Sequence, residues 1–192
     1  LADADAQKAS SLVIVDGAQG GQDAVRTQDE SVAFWRNIDE RLRASNVTAA
    51  QVQVVWLKQA IAGPQQGFPA EARRLQDLLV KIVNIARKRY PNLRVAYVSS
   101  RIYAGYASSQ LNPEPYAYES AFAVRWLIQD QVKGRAQLNC DPAHGDVNAP
   151  LLLWGPYLWA DGLKPRQSDG LLWKPEDFGG DGTHPGATGR QK

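Results

Sequence analysis

SLVIVDGAQGGQDA, Ser11–Ala24, is the stretch on which the fold turns. Five residues, SLVIV, run into Asp16 and then into Gly17, Gly20 and Gly21. A short uninterrupted run rich in β-branched residues reads as a buried strand. Glycines directly after it let backbone N–H groups turn toward a ligand without steric cost. A strand that ends in such a turn and leads into a helix is the building unit of a parallel sheet.

Three further runs repeat the pattern. Val52–Leu57 (VQVVWL), Leu93–Val98 (LRVAYV) and Leu151–Trp154 (LLLW) are apolar and bounded by polar or turn-forming residues. Helical spacing fills the intervals. Ser31–Arg43 sets Phe34, Ile38 and Leu42 four apart. Ala70–Arg89 lines up Leu75, Leu78, Leu79, Ile82 and Ala86, with Pro69 suited to its first turn and Tyr90-Pro91 to its end. Tyr118–Val132 carries Phe122, Trp126 and Leu127. Four strands alternating with three helices predict an α/β fold, a parallel sheet covered on both faces. The segment 133–150 reads as a surface loop, and the tail after Ala160 as a series of turns. No internal repeat or Gly/Pro/Ser-rich linker divides the 192 residues, so the expectation is one domain over 1–192.

Composition narrows the function classes. An apolar share of 44% and a charged share of 22% suit a folded domain with its own core. A net charge of +2, with no basic run among aromatics, does not point to nucleic acid as a partner. No apolar run is long enough to cross a bilayer, and LADADAQKAS lacks the basic-then-apolar pattern of a signal peptide. A lone Cys140 forms no internal disulfide and no multi-thiolate metal site. Two widely spaced histidines do not suggest a metal either.

Ligands of open parallel sheets bind beyond the carboxyl ends of the strands. Chemistry is therefore sought just after each run. DGAQGG lacks the G-x-G-x-x-G dinucleotide spacing, and by itself it reads as a tight strand-to-helix turn. Lys58 and Gln59 leave the second run, where a glutamine amide can donate to an anionic oxygen. Arg101, Tyr103 and Tyr106 follow the third, an arginine with aromatics that suits a sugar or an anionic ester. The tail after the fourth holds Asp181-Gly-Thr-His184, whose spacing lets the carboxylate fix the imidazole tautomer and leave Nε2 as a base. His144, in DPAHGD, reads as an exposed loop residue.

Taken in order, DGAQGGQ, WLKQA and DGTHP resemble the blocks of the SGNH (GDSL-like) hydrolase superfamily. SSRIYAGYA and LNPEPYAYESAFAVRWLIQDQ resemble a bacterial branch of it. The likeness spans about Leu12 to Arg190. It implies a three-layer α/β/α, flavodoxin-like fold and a serine esterase acting through an acyl-enzyme, on a carboxylic ester such as an acylated carbohydrate. It assigns an oxyanion-hole N–H to Gly20, a second oxyanion donor to Gln59, and the acid–base pair to Asp181 and His184. It implies a reaction that needs no metal or organic cofactor, and a secreted or periplasmic location.

One block is not in the sequence. The G-D-S serine of the family follows its first strand, whereas Ser10 and Ser11 precede a strand. In the family's 2-1-3-4-5 sheet that first strand lies between the equivalents of Leu12–Val15 and Val52–Trp56. The serine is therefore expected upstream, in an N-terminal segment that fills this gap, because residues 1–10 are too polar to do so. The absence of methionine and the halt at Gly189–Lys192 lead to the expectation of a chain trimmed at both ends. Two other readings remain: a binding module of the same fold without a nucleophile, and a flavodoxin-like domain cradling a phosphate or nucleotide on DGAQGG.

Overall fold

The computed structural model describes residues 8–192. Residues 1–7, and with them most of the stretch read as too polar for a strand, lie outside the described residues. The described elements are α1 (Ala24–Thr27, a single turn), α2 (Ala33–Ala44), β1 (Val54–Lys58), α3 (Ala70–Arg89), β2 (Val95–Ser99), α4 (Tyr116–Val132) and β3 (Leu151–Trp154). The strands form a parallel sheet in the order β1-β2-β3. Its register pairs Val54 with Val95 through Lys58 with Ser99, and Val95 with Leu151 through Val98 with Trp154.

Right-handed crossovers that step in one direction put their helices on one face of a sheet. Here Ala96, Val98 and Leu152, with Val55 and Leu57, face a single core built from all three long helices. Phe34, Trp35 and Leu42 come from α2, Leu79, Ile82 and Val83 from α3, and Val124 and Leu127 from α4. α3 begins and ends where the sequence places it, and Arg87, Lys88 and Arg89 in its last turn suit the negative end of the helix.

Two expectations are corrected. The run Ser11–Val15 is not a strand. A strand exists only in a ladder, and this run makes no backbone bond to β1; Leu12, Val13 and Ile14 stay exposed while Val15 packs on the core. The turn after it is tied to α2 instead: Arg41 donates to the carbonyls of Asp16 and Ala18 at 2.9 and 2.7 Å. The second correction concerns the layers. Among the described residues the helices cover one face of the sheet, and the other face presents Val54, Trp56 (60% exposed), Tyr97, Leu151 and Leu153 to water. Parallel sheets are normally buried on both faces.

The segment 133–150 is more ordered than a plain loop. It folds into two short 3-10 turns and buries Leu138, and Asn84 holds it through the carbonyls of Gln137 and Asn148. Among the described residues no helix is long and apolar enough to cross a membrane.

Candidate active site at the carboxyl edge of the sheet

The tail after β3 returns over the carboxyl edge, and the Asp181–His184 turn forms there. His184 Nδ1 lies 2.5 Å from Asp181 Oδ2. The other carboxylate oxygen accepts the backbone N–H groups of Thr183 and His184, each at 3.0 Å. These bonds, the His184 backbone N–H first, hold the Asp181 carboxyl well below the usual carboxylate range. An ionised carboxylate only accepts, so Nδ1 carries a proton toward Asp181 and Nε2 faces away from the pair. Nε2 has no hydrogen-bond partner among the described residues, and His184 is exposed.

Gly182 shapes the turn. Its φ is +64°, and a Cβ there would stand 1.8 Å from the Tyr106 carbonyl oxygen. Only glycine meets both demands.

Hydrogen bonds stitch the loops of this edge together. Ala24 N–H donates to the Ala60 carbonyl at 2.8 Å, and Asp23 Oδ2 accepts Ala62 N–H at 3.1 Å, which joins the glycine turn to the loop after β1. Gly63 N–H donates to Gln110, and Asn112 Nδ2 to Ile61, which joins that loop to the one after β2. Ser108 N–H donates to the Asp181 carbonyl at 3.0 Å, which carries the chain of contacts to the histidine turn. The loops that carry Gly20, Gln59 and the Asp181–His184 turn are thus linked in series by these bonds. Among the described residues neither Gly20 nor Gln59 bonds to His184; the Gln59 amide and the Gly20 N–H make no hydrogen bond at all and remain free donors.

The residues after β2 divide. Arg101 is buried, and its Nη2 points to the Thr183 carbonyl at 3.4 Å, so it braces the histidine turn from beneath. Burial lowers its pKa against the upward pull of Asp181 and Glu114. Burial, and then the neighbouring Arg101 charge, pull Lys58 down to about 8. The Tyr106 hydroxyl donates to the Trp173 carbonyl at 3.0 Å and its ring packs on Phe178, so it anchors the tail. Tyr103 is partly exposed and stacks edge-on against Tyr106 at 5.2 Å.

An open cleft of about 390 Å³ lies between α1 and the loop after β1, lined by Asp23, Arg26, Gly63, Gln66 and Arg74; His184 is not among its walls. The sequence reading missed Ser108, Asp23 and the Tyr106 carbonyl, all of which position the rim. Their roles are contacts between loops far apart in the chain, and no local pattern signals them.

No family model matches the chain, and no curated protein and no solved structure is significantly similar to it.

Proposed function

We propose that this chain carries the acid–base and oxyanion half of a serine ester hydrolase of the SGNH type. The observation that supports this best is the Asp181–His184 pair, formed at the carboxyl edge with Nε2 unengaged, while Gln59 and Gly20 remain free donors on loops linked to that turn in series. In this reading a serine hydroxyl attacks the ester carbonyl and gives its proton to His184 Nε2. The tetrahedral oxyanion accepts hydrogen bonds from the Gln59 amide and Gly20 N–H; each such donor is worth about 2.7–4 kcal/mol in the barrier. Collapse expels the alcohol, which takes the proton from His184. Water then attacks the acyl-enzyme with His184 again as base, releasing the acid. Asp181 stays ionised throughout, in keeping with its depressed pKa, and Arg101 positions the turn through Thr183.

A serine carried on a strand that pairs with the free edge of β1 would complete this reading. That strand and its following helix would supply the missing ladder partner of Leu12–Val15 and part of a third layer over Trp56 and Tyr97. Among the described residues no hydroxyl reaches His184 Nε2, and this favours a second reading, a binding module that never acquires a nucleophile. The phosphate-cradle reading is weaker, because Asp23 Oδ1 already caps Arg26 N–H at 3.0 Å, putting a carboxylate where the phosphate would sit.

A fluorophosphonate probe tests the proposal on the protein assembled with the segment that fills the β1 edge. Mass analysis should find one labelled serine, and His184→Ala should prevent labelling. An assembled protein that stays unlabelled is a binding module; labelling that survives His184→Ala removes the histidine from the mechanism.

A further inference from the structure

Two cations sit on adjacent strand ends at the carboxyl edge, and among the described residues neither has an ion-pair partner. Lys58 ends β1 and is in register with Ser99, the last residue of β2; Arg101 follows two residues on. The Lys58 amine makes no hydrogen bond and no ion pair among the described residues. Arg101 is only 8% exposed, yet its guanidinium makes a single hydrogen bond there, from Nη2 to the Thr183 carbonyl at 3.4 Å. Its Nε is buried with no acceptor.

The two carboxylates whose charges reach Arg101 are committed elsewhere. Asp181 accepts the N–H groups of Thr183 and His184 and faces the His184 ring. Glu114 accepts the Trp159 indole N–H at 2.9 Å and the N–H groups of Ala104 and Tyr118, each at 3.0 Å. A buried charge without full hydrogen bonding is costly, and a like charge beside it adds to the cost. Lys58 registers both effects, burial first and the Arg101 charge second. Bracing one carbonyl needs only a neutral donor. A pair of cations in this place suits an anion that comes from outside. Ligands of open parallel sheets bind beyond the carboxyl ends of adjacent strands, where this pair lies. Lys58 and Gln59 are partly exposed, so the pair is reachable from solvent.

We propose that Lys58 and Arg101 form a binding site for a carboxylate group carried by the ligand. A planar carboxylate matches the guanidinium fork and leaves an oxygen to accept from the ammonium. A phosphate has more oxygens to satisfy than these two side chains provide. The site deepens the esterase reading by making the ester acidic, with its carboxylate held at the strand end that leads into Gln59. It rests on that reading only for the nature of the reacting group.

Acetate and succinate, titrated into this chain at constant ionic strength against chloride and phosphate, provide the test. The readouts are Tm and the Arg101 Nε–H resonance in proton–nitrogen correlation spectra. Both carboxylates are expected to raise Tm and to move that resonance saturably. Lys58→Met should weaken the apparent Kd about tenfold, the usual worth of a charge-assisted hydrogen bond. Arg101→Lys, which keeps the charge and loses the fork, should weaken it by a similar factor. Arg101 is buried, so Lys58→Met alone decides the matter if Arg101→Lys does not fold. No saturable shift, an equal response to chloride, a stronger response to phosphate, or carboxylate binding indifferent to Lys58→Met would each overturn the proposal. Binding needs no hydrolysis. Carboxylate binding by a protein that fails the fluorophosphonate test removes the esterase reading alone, and serine labelling without carboxylate binding removes this site alone.

Discussion

The chain builds one four-residue device twice. Asp141-Pro-Ala-His144 and Asp181-Gly-Thr-His184 both bring a carboxylate to the imidazole Nδ1 three residues on, at 2.9 and 2.5 Å. Both aspartates also accept backbone N–H groups of their own turn. The difference lies in what holds each turn. Asp141 precedes β3, at the amino edge of the sheet, and among the described residues its backbone is tied to Asn139 and His144, both in the same loop. Asp181 follows β3, at the carboxyl edge, and its turn is bound to Ser108, Tyr106 and Arg101, all from the segment after β2. A D-x-x-H pair is therefore easily made from local chain alone. What marks a candidate base is the long-range scaffold that fixes it at the carboxyl edge.

The largest test of that contrast is activity. If the proposed serine completes the site, His184→Ala should lower kcat/KM for an aryl acetate by about 10²–10⁴-fold, the usual contribution of a general base. His144→Ala should leave it within about twofold, since His144 has no such setting. Equal losses would erase the distinction between the two edges.

The glycines beside the histidines sharpen it on the stability side. Gly182→Ala forces a side chain to φ +64° and into the Tyr106 carbonyl, so urea denaturation should show a loss of about 3 kcal/mol or more. Gly145, just after His144, has φ +113° but open space around a Cβ. Its alanine variant carries the backbone strain alone, about 1–3 kcal/mol. A Gly182→Ala protein as stable as Gly145→Ala would mean that the turn does not press on the loop after β2.

The two edges were not equally legible in the sequence. α3 and β3 end where their patterns predict, because burial of one helix stripe and of a short apolar run is a local matter. β1 and β2 each begin two residues and end one residue later than read, the ordinary slip when ladder partners set the ends. Asp181 and His184 were legible from their spacing. The Asp141–His144 pair has the same spacing and was passed over, because position in the sheet, not local bonding, guided the reading. Ser11–Val15 shows the opposite failure: its composition is that of a strand, but strand formation needs a neighbour, and sequence composition does not say whether one is present. The fixed orientation of Trp159 was invisible, since Glu114 lies 45 residues away.

A charge on the carboxyl edge offers a smaller test. Lys58 has its pKa pulled down to about 8, mainly by burial, so its charged form opposes folding below that pH. Between there and the unfolded value near 10.4 the native state has lost a proton that the unfolded chain still holds, and stability rises with pH through this window. Lys58→Met should therefore stabilise the protein at pH 7. The full shift corresponds to about 3 kcal/mol, and residual solvation of the ammonium should reduce the gain to ~1–2 kcal/mol. The advantage should fade by pH 10.5, which thermal melts of both proteins across that range would read. A constant difference would place the cause in packing instead of charge.

The smallest effect returns to the paired aspartates themselves. Both carboxyls are held below their ordinary range: Asp141 first by the Ala143 N–H, with His144 adding a smaller pull, and Asp181 first by the His184 N–H, with the His184 ring and the Thr183 N–H adding theirs. A carboxylate whose folded pKa is depressed contributes stability above its unfolded value near 3.9 and loses it as pH falls through the folded value. Asp181 is depressed further, so its contribution should persist to lower pH and be larger in total. Melting temperatures taken from pH 6 down to 2 should show a steep acid slope for the parent chain. Asp181→Asn should flatten that slope more than Asp141→Asn does, because only the former carboxylate accepts a third hydrogen bond and sits in a turn clamped by other loops. If both substitutions flatten it equally, the clamping by Ser108, Tyr106 and Arg101 adds nothing to what each four-residue turn achieves by itself.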